Sequence, residues 1–187
     1  MIIEIYTEYT PNPESLKFVA NKMLLPGNSV DFRDITTVKD APLAEALFQQ
    51  FSFVKGVFIS NNFITITKKD AEQEWIELVP EVKQFLKQYL SENKPIATVQ
   101  TVTETNGIDG NELEAKIINV LNTYVRPAVE MDGGNIRFKS YNEGVVTVMM
   151  QGSCSGCPSS TLTLKSGIEG LLKRMVPEVK EVVAEAE

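Results

Sequence analysis

Apolar and polar residues alternate at the start of the chain, where Ile3 and Ile5 are set against Glu4 and Tyr6, and this period of two predicts a strand over residues 2–9. Thr10-Pro11-Asn12-Pro13 ends it, because two prolines remove backbone donors and restrict their neighbours. Short strands are predicted at Leu16-Lys17-Phe18-Val19 and Val30-Asp31-Phe32, with a turn at Pro26-Gly27-Asn28. A helix capped by Asp40, with Pro42 in its first turn, would place Leu43, Ala44, Leu47, Phe48 and Phe51 on one face. Asn61-Asn62 between Val57-Phe58-Ile59 and the run 63–67 predicts a tight hairpin. From Trp75 to Tyr89 the apolar positions recur at helical spacing, and Pro80 is expected to kink that helix or to begin its second half.

Residues 93–107 are Thr-rich, nearly uncharged and without a sustained helical period, so they read as a linker; the valines alternating over Thr98 to Thr103 also allow a docked edge strand. The expected organisation is a first domain over 1–92, a linker over 93–108 and a second domain over 109–187. In the second domain, Asp109 with Glu112 three residues on resembles a capping box. Leu113, Ile117, Val120, Leu121 and Tyr124 form the apolar face of a helix that should end or kink near Arg126-Pro127. Asp132-Gly133-Gly134-Asn135 reads as a turn whose glycines supply positive φ. Two strands follow around Asn142-Glu143-Gly144, then a helix through Leu164, Ile168 and Leu172 stopped by Pro177, then a strand with Val179, Val182 and Val183. The fold class is therefore α/β (α+β) in two small domains. The C-terminal one is a three-stranded sheet with helices on one face, in the order α-β-β-α-β.

Composition narrows the chemistry. Among 187 residues there are 18 Lys and Arg, 25 Asp and Glu, and a net charge of −7, so unspecific attraction to nucleic acid or to an anionic membrane is disfavoured. The chain has no histidine, which removes imidazole bases, Ser-His and Cys-His nucleophile pairs, and His metal ligands. No phosphate loop or dinucleotide fingerprint is present, and the chain is not read as an enzyme. The N-terminal residues have neither the pattern of a signal peptide nor that of a transit peptide, and the expected location is cytoplasmic, in a reducing setting.

One constellation remains, Gly152-Ser153-Cys154-Ser155-Gly156-Cys157-Pro158, which holds both cysteines of the chain. Pro158 suits the first turn of a helix, so both sulfurs are expected on a loop running into a helix N-terminus, where the thiolate is favoured. Two intervening residues let both sulfurs reach one metal or one cluster. Structural zinc and the common iron-sulfur clusters take about four protein ligands, usually thiolates. With two cysteines per chain, a complete thiolate site needs two copies, and a cluster shared across a twofold axis meets that need.

The series Val125-Arg126-Pro127, Asp132-Gly133-Gly134, Gly152 to Ser160, Thr163 to Glu169 and Pro177-Glu178-Val179 resembles the NifU-like C-terminal (Nfu) domain of iron-sulfur scaffold and carrier proteins. Thr10-Pro11-Asn12-Pro13, Leu16-Lys17-Phe18, Pro42-Leu43-Ala44, Leu47-Phe48 and the run 63–68 followed by Trp75 are similar to the Nfu N-terminal domain. The resemblance implies that Cys154 and Cys157 are the ligands of an iron-sulfur cluster, 4Fe-4S in preference to 2Fe-2S. That cluster would be shared by a homodimer and passed to apo iron-sulfur proteins, with the N-terminal domain a recognition or stabilising module. One departure is Asn135, where members of the family often carry Asp.

The residues alone also admit a thiol-disulfide oxidoreductase using the same dithiol, and a zinc-linked structural dimer. Against the first stand the Ser155-Gly156 spacer and the place of the motif after a hairpin instead of after an early strand of a βαβ unit.

Overall fold

The computed structural model describes residues 2–69, 73–98, 112–155 and 158–186, with the backbone alone for 155 and 158–161. The chain divides into two compact units, Met1–Thr101 and Val102–Glu187.

The first unit is built from β1 (Ile5–Tyr9), β2 (Ser15–Ala20), β3 (Leu25–Phe32), α1 (Pro42–Gln50), β4 (Val54–Asn61), β5 (Phe63–Lys68) and α2 (Trp75–Ser91). Its sheet runs β1-β2-β5-β4-β3, antiparallel throughout. Strand alternation sends Leu16, Phe18, Ile64, Ile66, Val57 and Ile59 to one face, where Leu43, Leu47, Val82 and Leu86 of the two helices cover them. On the other face Val19, Phe58 and Phe63 form a small cluster, with Lys17 Nζ 4.6 Å from the Phe63 ring centre and ion-paired to Glu8 at 2.8 Å.

Two local expectations change, and Pro80 finds its place. Pro26-Gly27-Asn28 is a bulge inside β3, because pairing jumps from Leu25↔Asn61 to Ser29↔Ser60. A proline and a glycine at φ +67° are tolerated there because β3 is an edge strand, and Asn61 Oδ1 accepts the Gly27 N–H at 3.1 Å. The N-cap of α1 is Ala41, not Asp40, whose carbonyl accepts from Thr98 N at 2.6 Å. Pro80 lies within α2; the carbonyl it leaves unbonded belongs to Ile76, which is 81% exposed and open to water, so the helix continues.

The first residues of the expected linker lie against this unit. Tyr89 Oη donates to Pro95 O at 2.8 Å, Leu43 N to Ile96 O at 3.2 Å, and Ile96 and Ala97 pack on the core. From residue 99 the expected linker, with most of the alternative edge strand and the Asp109 cap, lies outside the described residues.

The second unit comprises α3 (Glu112–Val120), a π turn (Leu121–Val125), α4 (Arg126–Met131), β6 (Gly134–Asn142), β7 (Val145–Gly152), α5 (Pro158–Met175) and β8 (Glu181–Ala186). The helix neither stops nor breaks at Arg126-Pro127. It widens by one π turn just before them, and α4 starts with the proline in its first turn, where its missing N–H costs nothing. The wider turn carries the buried stripe from Leu121 to Val125 and Val129, so Tyr124, expected on the apolar face, is 56% exposed. In the sheet β6-β7-β8, β6 and β7 are antiparallel, while β8 returns parallel to β7 after α5. Val146, Val148 and Met150 are buried while Val145, Thr147 and Met149 are half-buried. The buried set packs with Ile117, Val129, Ile168 and Leu172 of the helices, which places the helices on one face.

Candidate functional site

Two glycine-containing turns of the second unit, at Gly133-Gly134 and at Gly152, meet at one end of the β6-β7 ladder. Asp132 caps α4, Gly133 turns at φ +79°, and Gly134 opens β6 opposite Gly152, the last residue of β7, itself at φ +69°. Beyond Gly152 the chain makes one 3-10 turn, Ser153–Ser155, and α5 begins at Pro158 as expected. The Ser153 side chain ties the two turns together, since its hydroxyl donates to the Asp132 carbonyl and its N–H to Gly133 O at 3.3 Å. The buried Asn135 accepts from Ile136 N at 2.8 Å through Oδ1 and donates through Nδ2 to Gln151 Oε1 at 3.4 Å.

Cys154 sits inside this joint. It is 5% exposed and belongs to the second core, with Ser153 Oγ 3.8 Å from its Sγ. The sequence places this sulfur on a loop running into a helix N-terminus; the structure puts it in a 3-10 turn packed beneath the Asp132–Asn135 turn. Gly134 makes the packing possible. A Cβ there would stand 2.6 Å from the Gln151 carbonyl oxygen and 2.9 Å from Cys154 Sγ, closer than a side-chain carbon can approach. The two glycines thus differ in kind: Gly133 is needed for its backbone angle, Gly134 for the absent side chain.

Of the expected ligands, the structure places Cys154; Cys157 and Gly156 lie outside the described residues. Asp132 comes to the site through its backbone carbonyl. Gln151 is a supporting residue that sequence reasoning did not single out, and Gly134, expected to supply positive φ, acts instead by its missing side chain, which a glycine opening a strand signals. Among the described residues, no three His, Cys, Asp or Glu side chains gather where they could hold a metal ion.

Residues 5–93 match the family model described as the scaffold protein Nfu/NifU N terminal, and residues 117–183 that of the NifU-like domain. Over 179 residues the chain is 38% identical to the human protein named NFU1 iron-sulfur cluster scaffold homolog, mitochondrial, covering 95% of this chain and 70% of that protein. The chain belongs to the Nfu/NifU family of scaffold proteins. The protein of the same name from Drosophila sechellia is 42% identical over 181 residues, and this Nfu-family chain spans 63% of its length. A NifU-like protein from Saccharomyces cerevisiae, solved by NMR, is 27% identical, with a TM-score of 0.45 over 52% of this chain and 86% of that one. Every supporting residue of the joint, from Asp132 to Cys154, falls within the matched NifU-like stretch.

Proposed function

We propose that this chain is an iron-sulfur cluster scaffold and carrier that takes a cluster as cargo on Cys154 and Cys157, shares it between two copies of itself, and hands it to apo iron-sulfur proteins. The observation that carries this reading is the joint around Cys154. A sulfur held against a glycine by two backbone turns and a serine is an anchored ligand, and the close approach that Gly134 permits fixes where it stands. The family membership and the iron-sulfur scaffolds among the relatives support the same cargo.

Two cysteines give each chain half of a four-thiolate set, so a second copy supplies the rest. Four thiolates suit a 4Fe-4S cluster, one on each iron, and a 2Fe-2S cluster, two on each; we assign the 4Fe-4S form, and the iron count per two chains separates them. A cluster gripped at a surface where two chains meet can be released by separating them, which is what a carrier needs and an enzyme does not. Cys154 is 5% exposed and packed under the Asp132–Asn135 turn, so the position of its sulfur is set by the fold. The same burial weighs against a disulfide reductase, whose attacking thiol must be presented to its substrate.

The acidic chain and the absence, among the described residues, of a helix long and apolar enough to cross a membrane support protein partners over nucleic acid or lipid. The chemistry requires a setting that keeps thiols reduced; the cytoplasm is one, and the human and fly relatives are named mitochondrial. Cell fractionation tests the location.

The function is tested by anaerobic reconstitution with ferrous iron and sulfide. The expected product holds about four irons per two chains and has twice the mass of the free chain, and either Cys154→Ser or Cys157→Ser abolishes it when no other thiol is added. Retention of iron by a single subunit, or by the double variant, would overturn the proposal.

A further inference from the structure

The first unit carries a cleft of about 520 Å³ between the end of α1 and the outer face of α2. Its floor is aromatic. Phe51 and Phe85 meet edge to face with ring centres 5.5 Å apart, and Phe85 and Tyr89 lie 6.0 Å apart. Along the rim, Glu81, Gln84 and Gln88 follow α2 at one-turn intervals, with Gln50 of α1 opposite.

The polar groups at the two ends of the cleft are in different states. At one end Lys94 is satisfied, with Glu92 at 2.5 Å and the Tyr89 ring centre at 5.5 Å, and Gln88 donates to Glu92 at 3.1 Å. At the other end the Glu81 carboxylate, together with the Gln50 and Gln84 amides, makes no hydrogen bond or ion pair among the described residues. Aromatic rings flanked by unengaged amides and one unengaged carboxylate match a particular ligand chemistry. It has an apolar side chain for the floor, peptide groups for the amides and a cation for Glu81. From Glu81 to Tyr89 the helix rises about 12 Å, the length of about four residues of extended chain.

We propose that this cleft binds an extended segment of about four residues from a partner protein, placing an aromatic or large aliphatic side chain on Phe51 and Phe85 and a neighbouring Lys or Arg beside Glu81. Identifying that partner as a cluster recipient rests on the carrier reading above. On that reading the first unit, which has no cysteine, selects the protein to which the second unit delivers. The binding itself does not depend on the cluster.

The test uses the full-length, isotope-labelled chain without cluster and three blocked tetrapeptides: Gly-Phe-Arg-Gly, Gly-Phe-Glu-Gly and Gly-Ala-Arg-Gly. The first should cause saturable shifts confined to the amide signals of Gln50, Gln84, Gln88 and their neighbours. The Glu peptide should bind about two- to fivefold more weakly, as expected for one exposed charge pair, and the Ala peptide at least about tenfold more weakly. Glu81→Gln, an exposed change that leaves the fold intact, should remove the Arg-over-Glu preference while keeping the need for Phe. The proposal is overturned if millimolar Phe-Arg peptide leaves these signals in place, if the Arg and Glu peptides bind alike, or if the same signals move with protein concentration alone, which would make the cleft a contact between copies. Reconstitution is measured separately, so cluster loading without peptide binding would remove this inference alone, and peptide binding without loading would remove the carrier reading alone.

Discussion

Gly134 and Gly167 both lie in regular structure, yet a methyl group added to each would meet opposite surroundings. At Gly134 it would press on the Gln151 carbonyl oxygen and on Cys154 Sγ, whereas at Gly167, within α5, nothing lies within 4 Å. Gly134→Ala should therefore destabilise the second unit by about 1–3 kcal/mol and impair cluster loading, because backbone and sulfur cannot both keep their places. Gly167→Ala should stabilise it by roughly 0.8–1 kcal/mol through helix propensity. Denaturant melts of the two variants check the signs, and equal effects would contradict the joint described above. Cys154 gives a second prediction. In Cys157→Ser it is the chain's one remaining thiol, and at 5% exposure it should react far more slowly with a bulky alkylating reagent than a small-molecule thiol does. A rate equal to that of the free thiol would mean that its sulfur is not held under the turn.

Among the helices and strands, β8 shows how a tertiary contact secures an element that the sequence specifies weakly. Glu169 on α5 accepts from Val182 N at 3.1 Å with one oxygen and from Lys173 at 2.5 Å with the other, so a helix side chain fixes the start of the last strand. Lys173 first, and then the Val182 N–H, hold the Glu169 carboxyl below its ordinary value of 4.5. A carboxyl whose folded value lies below its unfolded one adds stability above the unfolded value, and that stability is lost as pH falls through the folded one. The second unit should thus weaken on acidification below about pH 4.5, and Glu169→Gln should weaken less over the same descent, since its amide oxygen still accepts from Val182 without titrating. Melts at neutral pH and in acid measure the difference; parallel loss in both proteins would show that Glu169 does not couple to folding. The π turn belongs to this level too. A helical period of 3.6 assigns Tyr124 to the apolar face, and nothing local in Leu121 to Val125 announces the extra residue that turns it outward.

At the scale of the molecule, the two large hydrophobic cores share no residue among those described. Trp75, the chain's one tryptophan, lies in the first core and reports on that core by fluorescence, whereas backbone circular dichroism reports on both units. Unfolding should therefore be non-coincident by the two probes, and Gly134→Ala should move the dichroism transition while leaving the Trp75 transition in place. A common shift of both would show that the units unfold as one.

The order of strands and helices follows from periodicity, because alternation and the helical repeat record which face of each segment is buried, and the prolines and asparagines marked most of the turns. The half-set of thiolates is a matter of counting, so the expectation of a second copy follows from composition. Contacts between distant segments are another matter. That Gly134 must lack a side chain depends on Cys154, twenty positions on, arriving beneath it. That Pro26-Gly27-Asn28 bulges instead of turning depends on β4 running alongside, and that Ile96 and Ala97 lie on a core depends on α1 and α2 offering hydrogen-bond donors and apolar surface. A local pattern carries no term for a neighbour that only folding supplies, and for that reason the joint around Cys154 and the cleft along α2 came into view only once the chain was folded.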